Sequence, residues 1–520
     1  MGCKRIKGVE VRTGSFFGMG VLCEWALWAE PFITYEQFGA VGDGKTDDQA
    51  AIVAAHRAAN EQGLPVRADD TKTYYIGEGS SRAVIKTDVD FGKARFVIDD
   101  RTVKQRSADI FSVESSLAPV PLKGVETLKR GEGSLGITLP ADSLVALENN
   151  RVKRYIRYGA NQNNGTAQQE VILVNKRGEV DSGTPIIWDY DTVTRITAYP
   201  LDEKVLTVKG GIFTTIANQA ESKYTYYGRG IRIHRSNVRV EGVRHEVTGE
   251  GDHGAPYGGF LSISLCANVT VTGCVFTAHK TYRTIGSAGR PVSMGSYDLN
   301  ANKAVNVSFI GCRQTTDILD SAYWGLFGSN FCKNLLYDDC VFSRFDAHMG
   351  VANATIRNSR LGYMGINAIG FGTLRVENST VYGRNFIGLR PDYGSTWEGA
   401  FIITNCVFIP ACGREAEGTL IGGSNPGTHD FGYPCHMPRR IVIDGLKIDD
   451  THHPESYQGP WLFAAFNPKN RDASYVEQYP YRVTEEVELR HVQTVSGKAL
   501  RLSPNPYLFR NVKGFDPLAR

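Results

Sequence analysis

Three stretches of this chain, NVTVTGCVFTAHKTY from Asn268, NVSFIGCRQTTDILD from Asn306 and NLLYDDCVFSRFDAH from Asn334, each place a cysteine six residues after an asparagine. The asparagine recurs at Asn237, Asn268, Asn306, Asn334 and Asn353, at intervals of 31, 38, 28 and 19 residues. The position six residues on reads Val243, Cys274, Cys312, Cys340 and Ser359, and Ser379 and Cys406 continue the series without the asparagine. A unit near 20 residues, lengthened by loops, is the spacing of a solenoid coil. Strands of successive coils pair ~4.8 Å apart, so equivalent side chains stack. Stacked asparagines satisfy turn backbone and hydrogen-bond to one another, and a repeating cysteine serves as a small buried hydrophobe.

Composition agrees with a turn-rich β protein: 56 Gly, 24 Tyr and 24 Phe, with 42% apolar and 22% charged residues. A net charge of +3 gives no argument for nucleic acid or a membrane surface, and no apolar run reaches the ~18 residues of a membrane span. Residues 1–30 start basic and carry a short apolar stretch, Ser15–Cys23, interrupted at its end by Glu24. That is the outline of a signal peptide and points to an extracellular or periplasmic protein. The ten cysteines contain no CxxC pair and no zinc spacing. Their regular placement favours reduced, buried thiols over a disulfide framework, and no metal site is expected.

The segment FGAVGDGKTDDQAAI, from Phe38, leads into a helix expected over Asp47–Gln62. Thr46 and Gln49 have the spacing of a capping box, Asp47 and Asp48 suit the first turn, and Gly63 suits the C-cap. Ala51, Ile52, Ala55, Ala58 and Ala59 share one face. This segment resembles the entry segment of the pectate-lyase-like superfamily, which includes polygalacturonases, rhamnogalacturonases and many phage tailspikes. The resemblance implies an all-β, right-handed parallel β-helix whose open N-terminal end is capped by this helix. It is specific for fold and says little about the reaction. The expected organisation is a cap with the first coils over 31–100, an inserted β-rich subdomain over 101–205, where alternating runs are broken by Asn/Gly turns, and the main β-helix over 206–520.

Strand alternation carried on from the cysteine turns the seventh residue inward and the sixth and eighth outward. Lys280 and Asp346 fall in the sixth column; Tyr282, Asp320 and His348 fall in the eighth. A surface aspartate is most often merely solvated, but titratable groups gathered on three consecutive coils favour a site. Diagonal neighbours on adjacent strands lie roughly 7–8 Å apart, close to the ~6.5–9.5 Å between the carboxyls of an inverting glycosidase. Asp320 and Asp346 are therefore the expected acid–base pair, with His348 tuning them and Lys280 holding an acidic sugar. Asp317 and His279 lie at the preceding turn, where turn-capping and structural roles compete with function. TTDILD also resembles a polygalacturonase segment, Thr-Asp-x-x-Asp, here Thr316, Asp317 and Asp320; FDAHMG only loosely echoes that family's Gly-His-Gly, and no Arg-Ile-Lys is present. Tyr282, Arg283, Tyr323, Trp324, Arg384, Arg390 and Trp397 complete the expected substrate contacts.

Three function classes fit these residues. The first is a glycoside hydrolase acting on a polysaccharide or oligosaccharide without a cofactor. The second is a polysaccharide lyase in which Lys280 or Arg283 abstracts a proton next to a uronic carboxylate, a chemistry for which β-helix lyases often recruit calcium. The third is a glycan-binding adhesin or tailspike-like rod. The oligomeric state is open.

Overall fold

A computed structural model describes residues 31–472 and 474–516; the candidate signal segment lies outside them. From Phe32 onward the chain is a right-handed parallel β-helix. One ladder runs through Val89–Asp99, Leu206–Ile216, Val238–Glu241, Ala267–Thr272, Val305–Ile310 and Lys333–Asp338, and continues to Glu486–Thr494. A second face is a six-stranded parallel sheet that includes Phe111–Glu114, Ile231–His234, Gly258–Ser264, Tyr297–Asn302 and Phe327–Asn330. Beyond it, the long strands Val341–Arg357 and Arg360–Glu377 bend around the rod and pair with each other through most of their length.

The asparagine ladder is continuous. Each Nδ2 donates to the preceding Oδ1: Asn268 to Asn237 at 2.9 Å, Asn306 to Asn268 at 2.9 Å, Asn334 to Asn306 at 2.8 Å and Asn353 to Asn334 at 3.4 Å. All five have left-handed backbone, with φ between 55° and 59°. That conformation, which β-branched and large residues resist, explains why the position is asparagine. A second left-handed column stands immediately before the cysteine position: Gly242, Gly273, Gly311, Asp339, Asn358, Asn378 and Asn405. Two left-handed corners per coil thus bracket a short strand and fix the phase of the repeat.

Cys274, Cys312 and Cys340 stack inside the rod, fully buried and free. The adjoining Cys312 thiol and burial push the Cys274 and Cys340 thiols well above their ordinary value. Those two neighbours shift Cys312 the other way, to about 4, so what protects all three is burial. A reagent must reach the sulfur to react, and a thiol reagent applied to the native protein is expected to leave all three unlabelled until denaturant is added. Labelling of all three at the rate of an exposed cysteine would contradict this packing.

The cap helix spans Gln49–Gln62, with Ile52, Ala55 and Ala59 buried, and Gly63 ends it in the left-handed conformation. The capping box does not form. Thr46 lies in the preceding extended segment and bonds Asp43, while Asp48 turns its carboxylate back to the backbone N–H groups of Val41 and Gly42. The turn of FGAVGDG thus takes the oxygens that helix capping would have used.

Phe111–Glu114 belongs to a coil, so the chain leaves the rod only after it. The separate sheet is antiparallel and comprises Val120–Pro121, Ser143–Arg154, Thr166–Val174 and Arg195–Pro200. It docks on the rod through Leu144 and Val171 against Ala267 and Val305. A buried ion pair, Lys333 Nζ to Glu170 Oε2 at 2.7 Å, pins it there.

Candidate functional site

The expected outward patch does not form, because the strand phase is lost after the cysteines of two coils. The strands end at Phe276 and Gln314, and the chain leaves the rod before rejoining it at Tyr297 and Phe327. Asp317 and Asp320 sit exposed on the second excursion, each closing a turn: Asp317 Oδ1 accepts from Leu319 N at 2.9 Å and Asp320 Oδ1 from Ala322 N at 2.8 Å. Lys280 donates its backbone N–H to Glu250 and bridges Tyr323 across the two excursions, and the Tyr323 carbonyl accepts from Tyr363 Oη. Tyr282 is buried against Gly254, whereas Arg283 is exposed at the foot of a hairpin formed by Arg283–Ile285 and Pro291–Ser293. Trp397 is a core residue whose Nε1 donates to Gly372 O at 3.0 Å. Arg384 is exposed on a neighbouring cleft of about 510 Å³.

His279 belongs to an internal polar network. Its Nδ1 meets Glu250 at 3.1 Å and its Nε2 approaches Asp298 at 3.4 Å, while His245 Nδ1 bonds Asp298 at 2.7 Å. Burial opposes the imidazolium, but the Asp298 and Glu250 carboxylates beside it outweigh burial and lift His279 to about 9. Burial likewise opposes the Asp298 carboxylate, and His245 and His279 outweigh it, holding Asp298 well below the usual range. A raised histidine contributes stability that is complete below its unfolded value, ~6.5, and is lost as pH rises through about 9. The urea midpoint is therefore expected to fall between pH 6.5 and 9, with His279→Gln flattening that limb; an unchanged limb would remove His279 as its source.

After Cys340, unlike after Cys274 and Cys312, the strand runs straight on, and its register with the next coil shifts by two residues. Phe342 pairs with Leu361, but Arg344 pairs with Gly365 and Asp346 with Asn367. Asp346 is 1% exposed at its side chain and is bound by Arg344 Nη2 at 2.5 Å, so it is not half of an open carboxylate pair. It lines, with His348, a cleft of about 360 Å³. The same cleft takes in Trp324 and Arg390 from the expected set, and Arg157, Tyr297, Tyr224 and Tyr226 from outside it; Asp320 does not line it.

Arg157 and Arg390 line this cleft, and Arg344 is buried behind it, 5.9 Å from the centroid of the lining Tyr297 and 5.4 Å from that of Trp324. Arg157, from the inserted subdomain, and Arg390, from the rod, share Asp392: Arg157 Nε meets its Oδ2 at 2.8 Å, and Arg390 Nε and Nη2 reach its two oxygens at 3.1 and 2.8 Å. Burial opposes the Asp392 charge, and Arg390 and Arg157 outweigh it, keeping it below the usual carboxylate range.

His348 packs edge-on against Tyr393 at 5.2 Å. Burial, then Arg390, Arg344 and Arg157, hold it well below the ordinary histidine value, so it is a neutral imidazole. Its Nε2 is buried without a hydrogen-bond partner, as are Nε and Nη1 of Arg344 and Nε1 of Trp324. Each unsatisfied buried group costs about 1–3 kcal/mol; two of these atoms belong to lining residues, His348 and Trp324, and two to the guanidinium that binds the lining Asp346, which marks a place built to contact something else. The donor set does not suit calcium, because Asp346 is bound by Arg344 and Asp392 by two arginines.

Two signals for this cleft stand in the sequence. Arg344 is two residues before Asp346, which strand alternation puts on one face. Arg157 lies in RVKRYIRYGANQNNG, a basic and aromatic run inside the insertion.

No family model matches the chain. In sequence it is 22% identical over 416 residues to a capsule KL64-specific depolymerase of Klebsiella phage P510, a match covering 73% of this chain and 37% of that protein. Among solved structures, the gp54 tailspike of Acinetobacter baumannii bacteriophage AP22, in complex with A. baumannii capsular saccharide, aligns at 11% identity with a TM-score of 0.51, over 91% of this chain and 75% of that one. The tailspike gp61 of Pseudomonas phage phi297 aligns at 14% identity with a TM-score of 0.50, over 89% and 80%. These likenesses show the fold, a right-handed parallel β-helix. Among the described residues, no helix is long and apolar enough to cross a membrane.

Proposed function

We propose that the chain cleaves an acidic polysaccharide outside the cell, and that it does so by β-elimination rather than hydrolysis. One observation carries this reading: His348, held neutral and with its Nε2 unpartnered, lines a cleft together with Arg157 and Arg390, and the sole lining carboxylate, Asp346, is already ion-paired. Paired-carboxylate hydrolysis needs two free acids on opposite sides of a sugar, and this lining does not supply them. Elimination needs a base and a way to neutralise a uronate carboxylate.

Arg157 and Arg390 are the carboxylate clamp, since guanidinium groups bind carboxylates in matched pairs. Neutralising the carboxylate acidifies the adjoining C5–H. A nitrogen of His348 takes that proton, its electron pair forms the C4–C5 double bond, and the C4–O4 bond breaks. Tyr297 is the cleft phenol assigned to protonate the departing oxygen. Tyr224 and Tyr226 are exposed aromatic surface for flanking sugars. The naming of the phage relative as a capsule depolymerase supports polymer cleavage, as does a tailspike of similar fold holding capsular saccharide.

The test is a panel of acidic polysaccharides, each offered intact and with its carboxylates reduced to alcohols. The reading expects an ultraviolet-absorbing unsaturated uronate from an intact polymer, none from its reduced form, and full activity in the presence of a calcium chelator. Equal cleavage of both forms would contradict it. The depressed His348 also places the acid limb of kcat/KM below the ordinary histidine value, because the base form persists as pH falls.

A further inference from the structure

A second cleft opens where the inserted subdomain meets the rod. Its mouth, of about 730 Å³, is lined by Arg130, Glu398, His436 and Arg482, and the same four residues line a narrower throat of about 150 Å³. Neither space shares a residue with the cleft that holds His348.

The throat is aromatic. The insertion supplies Trp188 and Tyr155; the rod supplies Phe371 and Tyr433. Trp188 meets the Phe371 ring edge-on at 5.0 Å and Tyr433 at 6.1 Å, and it has the Arg154 guanidinium 4.6 Å from its centroid. Its Nε1 and the Tyr155 hydroxyl are buried without hydrogen-bond partners. Part of the floor of the mouth is bare backbone, because a side chain on Gly399 would put its Cβ 2.0 Å from the Gly372 carbonyl oxygen.

Charge at the mouth is unbalanced. Arg130 pairs with Glu398 at 2.9 Å, Arg439 with Glu485 at 2.9 Å and Arg440 with Glu486 at 3.6 Å. Among the described residues, Arg482, exposed at the junction of mouth and throat, has no carboxylate partner, and His436 beside it carries no compensating negative charge. An aromatic throat below an unpaired guanidinium matches a sugar ring that bears a carboxylate on its neighbour or on itself.

We propose that this seam is a second, non-catalytic binding site for an anionic oligosaccharide segment, gripped by Arg482 at the mouth and by the Trp188 throat. It rests on the polysaccharide reading above, and it gives the chain two holds on one polymer, so that release of one leaves the other at high effective concentration.

The test titrates galacturonate and hyaluronate hexamers, with maltohexaose as the neutral probe, into the whole chain carrying His348→Ala, which keeps both clefts and is expected to turn over at least about 10²-fold more slowly. Arg390→Ala and Arg482→Ala are then added separately to that background. Two sites per chain are expected for an acidic hexamer. Arg390→Ala should remove one, and Arg482→Ala should weaken the other about tenfold. Arg482 makes no ion pair among the described residues, so its variant is expected to fold normally.

A single site abolished by Arg390→Ala would overturn this inference and leave the catalytic reading standing. A second site that ignores Arg482→Ala, or that takes maltohexaose as tightly, would also overturn it. Binding governed by Arg482 but indifferent to Arg390 would support this inference while removing the clamp assigned to the first cleft. Failure of every acidic hexamer to bind would overturn both.

Discussion

His348→Ala is expected to lower turnover of the acidic polymer by about 10²- to 10⁴-fold, the range that removal of a positioned general base costs. Binding of the polymer should survive, because the arginines that hold its carboxylate are untouched. The variant should also fold, since His348 Nε2 has no hydrogen-bond partner among the described residues whose loss would disturb the rod. Two further variants separate this account from the paired-aspartate one. Asp320→Asn should turn over within about twofold of the parent, because the side chain only closes a surface turn. Arg390→Ala should raise KM and lower kcat together, because a clamp that neutralises the carboxylate acts in both the ground and transition states. If Asp320→Asn were inactive and His348→Ala active, the roles assigned to the cleft would be wrong.

The largest effect on stability is expected in the ladder, at Asn306. Its amide both donates to Asn268 and accepts from Asn334, and its backbone is left-handed at φ 55°. Asn306→Ala removes two side-chain hydrogen bonds, at about 0.5–1.5 kcal/mol each, and puts a residue with Cβ but no compensating amide in the left-handed region, at roughly 1–2 kcal/mol. The sum is about 2–5 kcal/mol. Asn306→Gly loses the same hydrogen bonds but keeps the backbone free of strain, so it should recover part of the loss. Urea unfolding of the three proteins at one pH checks the order: parent most stable, Gly intermediate, Ala least. A glycine variant no more stable than the alanine one would remove backbone conformation from the explanation.

The fold was legible in the sequence because a solenoid repeats its constraints. Each coil needs the same left-handed corner and the same inward small residue, so Asn306 and Cys312 are written again at Asn334 and Cys340. The second left-handed column, Gly273 and Gly311 followed by Asn358, Asn378 and Asn405, was equally present but varies in residue type, since several residues tolerate positive φ.

The site was harder to read because it is built where the repeat stops. Extrapolating strand phase past Phe276 and Gln314 placed Lys280, Tyr282 and Asp320 on a face that does not exist; excursions carry them away. Asp346 and His348 reach the cleft because their strand, unlike those after Cys274 and Cys312, continues around the corner, although two extra residues in the next coil changed their neighbours. Arg157 reaches the cleft from an insertion whose docking no local pattern reveals. Trp324 and Arg390 were legible as an aromatic and a cation near the groove, and Trp397 was not distinguishable from them, because burial of an indole depends on contacts far along the chain.

Elimination and hydrolysis differ by one water in the product, and that difference is the most direct test of the central claim. The chain is incubated in ¹⁸O-labelled water with the acidic polymer it cleaves, and the oligosaccharide products are weighed by mass spectrometry before the new ends can exchange. The account predicts one fragment of each cleaved pair lighter by a water than the saturated oligosaccharide, with an unsaturated non-reducing end and no label gained in the cleavage step. Saturated fragments carrying one ¹⁸O per cleavage would contradict it and restore a hydrolytic mechanism.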